Sequence, residues 1–116
     1  MQTIYRLPDT IQHDLIRFQK EVERFKRGDI SAIEFRTFRV PQGVYEQREE
    51  GTHMIRVRFP AGGVLPHQMR TLAVVARTRG NGILHVTTRQ DIQVHQVTLD
   101  QLHPALTELY AAGLSS

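Results

Sequence analysis

Arg56 and Arg58 stand two residues apart in the run Met54-Ile55-Arg56-Val57-Arg58-Phe59. Side chains of a β-strand alternate between its faces, so this spacing sets both guanidinium groups on one side and Ile55, Val57 and Phe59 on the other. A second polar set follows at odd-numbered positions, His85, Thr87, Arg89, Gln93 and His95, interleaved with Leu84, Val86, Ile92 and Val94. Guanidinium, hydroxyl, amide and imidazole groups all donate hydrogen bonds, and a guanidinium fork grips a carboxylate or phosphate through two parallel ones. The chemistry open to these residues together is to hold and neutralise an anion with several oxygens. The plainer alternative is the solvated side of an antiparallel sheet. Such a face ordinarily carries lysine, glutamate or serine, and none occurs at these positions.

The charge distribution points the same way. Residues 52–97 contain six arginines, no lysine and one acid, Asp91, whereas residues 1–51 balance nine basic against nine acidic side chains. His85 and His95 face each other across the expected hairpin, but two histidines without a third ligand fall short of a metal site, and hydrogen bonding is their expected role. Gly62-Gly63 reads as a turn and not a phosphate cradle, since no Lys-Ser/Thr follows. Asp91 is expected to stabilise a turn. No serine–histidine–acid set or carboxylate pair stands out. The chain has no cysteine, which excludes disulfides, cysteine-held zinc and cysteine-ligated iron–sulfur clusters within it. No apolar run approaches the roughly 20 residues of a membrane helix or resembles a signal peptide, so a cytoplasmic protein is expected.

The elements that must position these groups are legible as period and punctuation. Ile11, Leu15, Phe18, Val22 and Phe25 recur at helical spacing behind an Asp9/Gln12 capping box, and Gly28 ends the pattern. Ser31 with Glu34 opens a second, short helix that Val40-Pro41-Gln42-Gly43 terminates. These helices cannot close a core alone, so their apolar stripe must lie on the following domain or on another part of a longer polypeptide. An extended stretch over 44–48 and a turn at Glu49-Glu50-Gly51 lead into a strand over Thr52–Phe59. A helix follows from about Pro66 to Arg79, marked by Met69, Leu72, Ala73 and Ala76 and stopped by Gly80-Asn81-Gly82. Strands are expected over Ile83–Thr88 and Ile92–Val97, and a last helix behind Thr98 and Gln101 with Leu99, Leu102, Leu106 and Leu109 on one side. From Thr52 the order is β-α-β-β-α, an α+β ferredoxin-like unit lacking its last strand, preceded by an amphipathic helix. Residues 1–43 form a helical lead-in and 44–116 the half-domain. An unpaired sheet edge and an uncovered long helix would favour self-association.

The run Met54 to Gly63, together with Leu84-His85-Val86-Thr87-Thr88-Arg89-Gln90-Asp91-Ile92-Gln93-Val94-His95, resembles the ferredoxin-like half-domain of siroheme-dependent nitrite and sulfite reductases. Gly28-Asp29-Ile30-Ser31 and the stretch Phe38 to Arg48 resemble that family's amino-terminal lead-in. The resemblance implies a siroheme shared with a second half of the enzyme and a 4Fe–4S cluster held on cysteines elsewhere in the parent protein. It implies that Arg56, with Arg58 beside it, contacts the nitrite or sulfite anion. It also implies that Thr87, Thr88, Arg89, Gln90, Gln93 and His95 contact siroheme, whose rim of carboxylates calls for such donors. The chain lacks the cluster cysteines, a second half-domain and the further basic residues of the anion pocket, so it is expected to be an amino-terminal part that does not catalyse the reaction alone. The electron donor and the choice between nitrite and sulfite are not legible. The alternative is a stand-alone basic ferredoxin-like module for RNA or a small anion, against which stands the lack of exposed sheet aromatics for base stacking.

Overall fold

The computed structural model describes residues 10–59, 63–87 and 91–116. The elements are α1 (Ile11–Lys26), α2 (Ala32–Arg39), a 3-10 turn (Val40–Gln42), β1 (Val44–Glu46), β2 (Thr52–Arg58), α3 (Pro66–Arg79), β3 (Leu84–Val86), β4 (Asp91–Thr98) and α4 (Leu99–Ala111). The four strands form one antiparallel sheet in the order β1-β2-β4-β3. The fold is α+β and ferredoxin-like, with the β-α-β-β-α order of the sequence carried by β2 to α4.

Local chemistry accounts for the element ends. Ser31 and Glu34 make the reciprocal box: Glu34 N–H donates to Ser31 Oγ at 3.1 Å, and Ser31 N–H to Glu34 Oε1 at 3.3 Å. Pro66 begins α3, where a missing N–H costs nothing. Gly43 closes the 3-10 turn at φ +80°, a conformation that a Cβ disfavours. Asp9 lies outside the described residues, and Thr10, which caps α1, makes no side-chain cap bond. Thr98 likewise caps α4 through backbone geometry alone.

The core lies between one sheet face and the helices. Ile55, Val57, Ile92, Val94 and Val97 meet Leu72, Val75 and Ala76 of α3 and Leu102, Ala105, Leu106 and Leu109 of α4. Leu15, Phe18 and Val22 of α1 join the same core, with α1 packed on α4 and α2. The apolar stripe of the lead-in is therefore covered within this chain, not left bare. Phe25 stacks on Phe35 with ring centroids 4.6 Å apart.

Three sequence expectations change. The buried side of α3 is Gln68, Leu72, Val75 and Ala76, while Met69 and Ala73 face solvent. Gln68 is only 2% exposed, because its Oε1 accepts from Leu65 N–H and its Nε2 donates to the Ala112 carbonyl at the end of α4. Both polar ends of the amide are satisfied, which is what lets a glutamine replace a hydrophobe there. Second, β3 is shorter than Ile83–Thr88, and Val86 is 79% exposed and not on the core. The helical cover reaches Leu84, which packs against the core, and stops short of the hairpin end of this edge strand. Third, the alternation of β4 breaks. Ile55 pairs with Val94 but His53 with Val97, so His95 and Gln96 together oppose Met54. This is a β-bulge, with Gln96 at φ +56°, and it returns odd-numbered Val97 to the core.

The outer edge of β2 is also occupied. Arg56 N–H donates to the Gly43 carbonyl at 2.8 Å, and Arg58 N–H to the Ser115 carbonyl at 2.9 Å. No named strand follows α4, yet Ser115 makes an isolated antiparallel bridge with Arg58 in the lane that β1 also fills.

Candidate anion-binding site

The sheet face turned away from α3 and α4 carries the polar set. Arg56 pairs with Gln93, Arg58 with Asp91, and His85 with Gln93 on its other side, so three strands bring these side chains together. Arg58 and His85 are exposed; Arg56, Gln93 and His95 are half-buried. Thr87 closes the hairpin, its N–H donating to the Asp91 carbonyl at 2.9 Å and its Oγ1 accepting from Asp91 N–H at 3.2 Å. Thr88, Arg89 and Gln90 lie outside the described residues.

Arg56 is flanked by two residues of this face. Its guanidinium sits 5.4 Å from the Tyr45 ring centroid, and its Nε lies 3.9 Å from Asp91 Oδ2 without a hydrogen-bond partner. A buried N–H without a hydrogen-bond partner is costly, and the nearby Asp91 carboxylate offsets part of that cost by its charge. Tyr45 reaches this position because β1 pairs it with Met54, one residue before Ile55 in β2. Asp91 is thus not merely a turn residue: it partly offsets the arginine's charge.

His95 is held at both ring nitrogens. Gln47 Nε2 lies 2.7 Å from Nδ1, and Gln93 Oε1 lies 3.2 Å from Nε2. The His85 ring is 4.3 Å away. Burial, and next the charge of His85, lowers the His95 pKa from its ordinary value. Among the described residues no group of three or more histidine, cysteine or acidic side chains is placed to hold a metal.

Beside this face runs a groove of about 830 Å³ lined by Ile33, Arg36, Arg39, Tyr45, Gln47 and Arg48, among others. Arg39 is 4% exposed and ties α2 to β1: its guanidinium donates to the Val44 carbonyl at 3.1 Å and lies over the Phe35 ring. Burial lowers its pKa, against the pull of Glu46. The sequence singled out neither Arg39, Gln47 nor Tyr45. Each works through a contact with a residue distant in sequence or on another element; all three lie in the Phe38 to Arg48 stretch, which carried a resemblance but no role for any one of them.

A helix-backed antiparallel sheet with a donor-rich outer face and a half-occupied edge lane defines a ferredoxin-like half-domain. Residues 45–112, more than half of the chain, match the family model of the nitrite/sulfite reductase ferredoxin-like half domain, and the chain belongs to that family. It is 35% identical over 86 residues to an assimilatory ferredoxin-dependent nitrite reductase of Haloferax mediterranei, covering 64% of this chain and 15% of that protein. It is 32% identical over 100 residues to a sulfite reductase (NADPH) hemoprotein beta-component of Acidithiobacillus ferrooxidans, covering 84% of this chain and 17% of that one. A chloroplastic ferredoxin–nitrite reductase of Zea mays is 38% identical over 77 residues, covering 64% and 14%. The chain therefore spans less than a fifth of these relatives. Among the described residues no helix is long and apolar enough to cross a membrane.

Proposed function

We propose that this chain supplies one wall of the siroheme and oxyanion pocket of a cytoplasmic nitrite or sulfite reductase, with residues 1–43 as lead-in to the half-domain of 44–116. The observation that carries the reading is Arg56: a half-buried guanidinium set between the Tyr45 ring and Asp91 on the polar sheet face, across from Gln93. The donor set suits siroheme, a macrocycle rimmed by carboxylates. Thr87, Thr88, Arg89, Gln90, Gln93 and His95 would hold its rim, and Arg56, with Arg58 at the margin, would hold nitrite or sulfite. When bound, siroheme supplies electrons to the substrate, drawn from a 4Fe–4S cluster whose cysteines belong to the remainder of the enzyme, since this chain has none.

The chain's own contribution is electrostatic and positional. Arg56 carries a permanent charge, pinned between an aromatic face and Asp91, so little reorganisation is needed when negative charge gathers on a leaving oxygen. No comparable observation favours RNA. Tyr45, an aromatic beside the polar face, lies under Arg56.

The test is a siroheme titration, followed at the Soret band, of this chain joined to a second half-domain and a cysteine-bearing cluster domain. Arg89→Ala should weaken siroheme binding, and Arg56→Gln should leave siroheme bound while abolishing the spectral response to nitrite or sulfite. Failure of the wild-type assembly to bind siroheme overturns the reading.

A further inference from the structure

We propose that Gln47 is a positioning residue that sets the tautomer of His95 and, through it, the orientation of the Gln93 amide. The backbone N–H of Gln96, in the bulge, donates to Gln47 Oε1 at 2.7 Å, and a backbone N–H can only donate. That fixes which end of the Gln47 amide is oxygen, so the end 2.7 Å from His95 Nδ1 is the N–H2 group, which also can only donate. Nδ1 is therefore bare, and the proton of the neutral ring sits on Nε2. Nε2–H then donates to Gln93 at 3.2 Å, and the atom receiving it is Oε1. The planar Gln93 amide accordingly holds its N–H2 group at the corner away from His95.

The relay spans three parts of the chain: the segment after β1, the bulge and the middle of β4. The bulge is indispensable to it. In regular alternation Gln96 would not offer a free N–H beside His95, and the φ of +56° at Gln96 is the backbone cost of that arrangement. For the function of the face, and resting on the reading given above, the consequence is that Gln93 meets an anion with donors and not with a carbonyl oxygen. A merely structural Gln47 would tether β1 to the bulge and leave the ring's protons indifferent.

Long-range proton–nitrogen correlation NMR of the histidine side chains of the 116-residue chain separates these cases without any ligand. Wild type should show His95 as the Nε2–H tautomer, with Nδ1 in the non-protonated nitrogen range. In Gln47→Glu one carboxylate oxygen still accepts from Gln96, but the other faces Nδ1 as an acceptor, so the proton should move to Nδ1 and the His95 pKa should rise. Gln47→Met should give a mixture of tautomers. A wild-type His95 protonated on Nδ1, or one whose tautomer ignores both substitutions in folded variants, overturns the inference. A relay found intact in a protein that takes no siroheme would overturn the functional reading alone.

Discussion

Arg56 Nε and Asp91 Oδ2 lie 3.9 Å apart on the diagonal between two cross-strand pairs, Arg56 with Gln93 and Arg58 with Asp91. Both side chains are largely shielded, at 24% and 15% exposure, and the separation is too long for a good hydrogen bond. The carboxylate tempers the arginine without consuming its donors. Asp91→Asn should therefore strengthen the hold of this face on anions by roughly three- to tenfold, on the order of 1 kcal/mol. Isothermal titration of the assembled pocket with nitrite or sulfite measures it; weaker binding by the variant would mean that Asp91 positions the arginine more than it opposes it.

Gly80 is a packing constraint on the same strand. A Cβ built there would lie 2.5 Å from the His95 carbonyl oxygen and 3.2 Å from Val94 Cγ1. Because one obstacle is backbone, Gly80→Ala should cost roughly 2–4 kcal/mol. Gly82→Ala, at φ +83° in open space, should cost only about 1 kcal/mol. Urea unfolding of the two variants side by side tests the difference.

Arg39 is expected to matter through burial and not through its ion pair. Arg39→Ala removes a charge-assisted bond to the Val44 carbonyl and packing against Phe35, and should cost about 2–4 kcal/mol. Glu46 is 60% exposed and 3.4 Å from the guanidinium, so Glu46→Gln should change stability by less than about 0.5 kcal/mol. Equal losses in thermal unfolding would show that the pair, not the buried bond, anchors β1.

Stability should fall on mild acidification. His53 has a lowered pKa because of burial and then Arg39, opposed by Glu46 and the Val97 backbone; His95 is lowered by burial and then His85. The unfolded chain takes up these protons near the ordinary 6.5, the folded chain only below it. Between those points the unfolded state binds more protons, so the stabilisation is complete above 6.5 and is lost as pH falls through the folded values. The urea midpoint should decline in that window, and His53→Leu should flatten the decline.

Much of the fold was written locally. The Ser31/Glu34 box, Pro66 at the head of α3 and Gly80 at its end are short-range signals, and the helix boundaries follow from them. The faces of β2 followed from strict alternation, which placed Arg56 and Arg58 together. What eluded the sequence depends on partners far along the chain. Gln68 is buried because Ala112 meets it, and Val86 is exposed because helical cover ends at Leu84. The bulge at Gln96 leaves no compositional mark, since its residue is not glycine. Without the bulge, Gln47 could not be paired with His95, and with Asp91 read as a turn residue, the restraint on Arg56 was invisible.

The shared lane beside β2 also orders events during synthesis. As the chain emerges, β2 finds β1 almost at once, only a short turn behind it, and its edge near Met54 is protected early. Its other neighbour, β4, and the Ser115 carbonyl that fastens Arg58 arrive some forty and sixty residues later, at roughly five to twenty residues per second. The strand that presents both arginines is thus started first and finished last, so the anion face acquires its final shape only after α4 has docked and the residues beyond it have come back to close the edge.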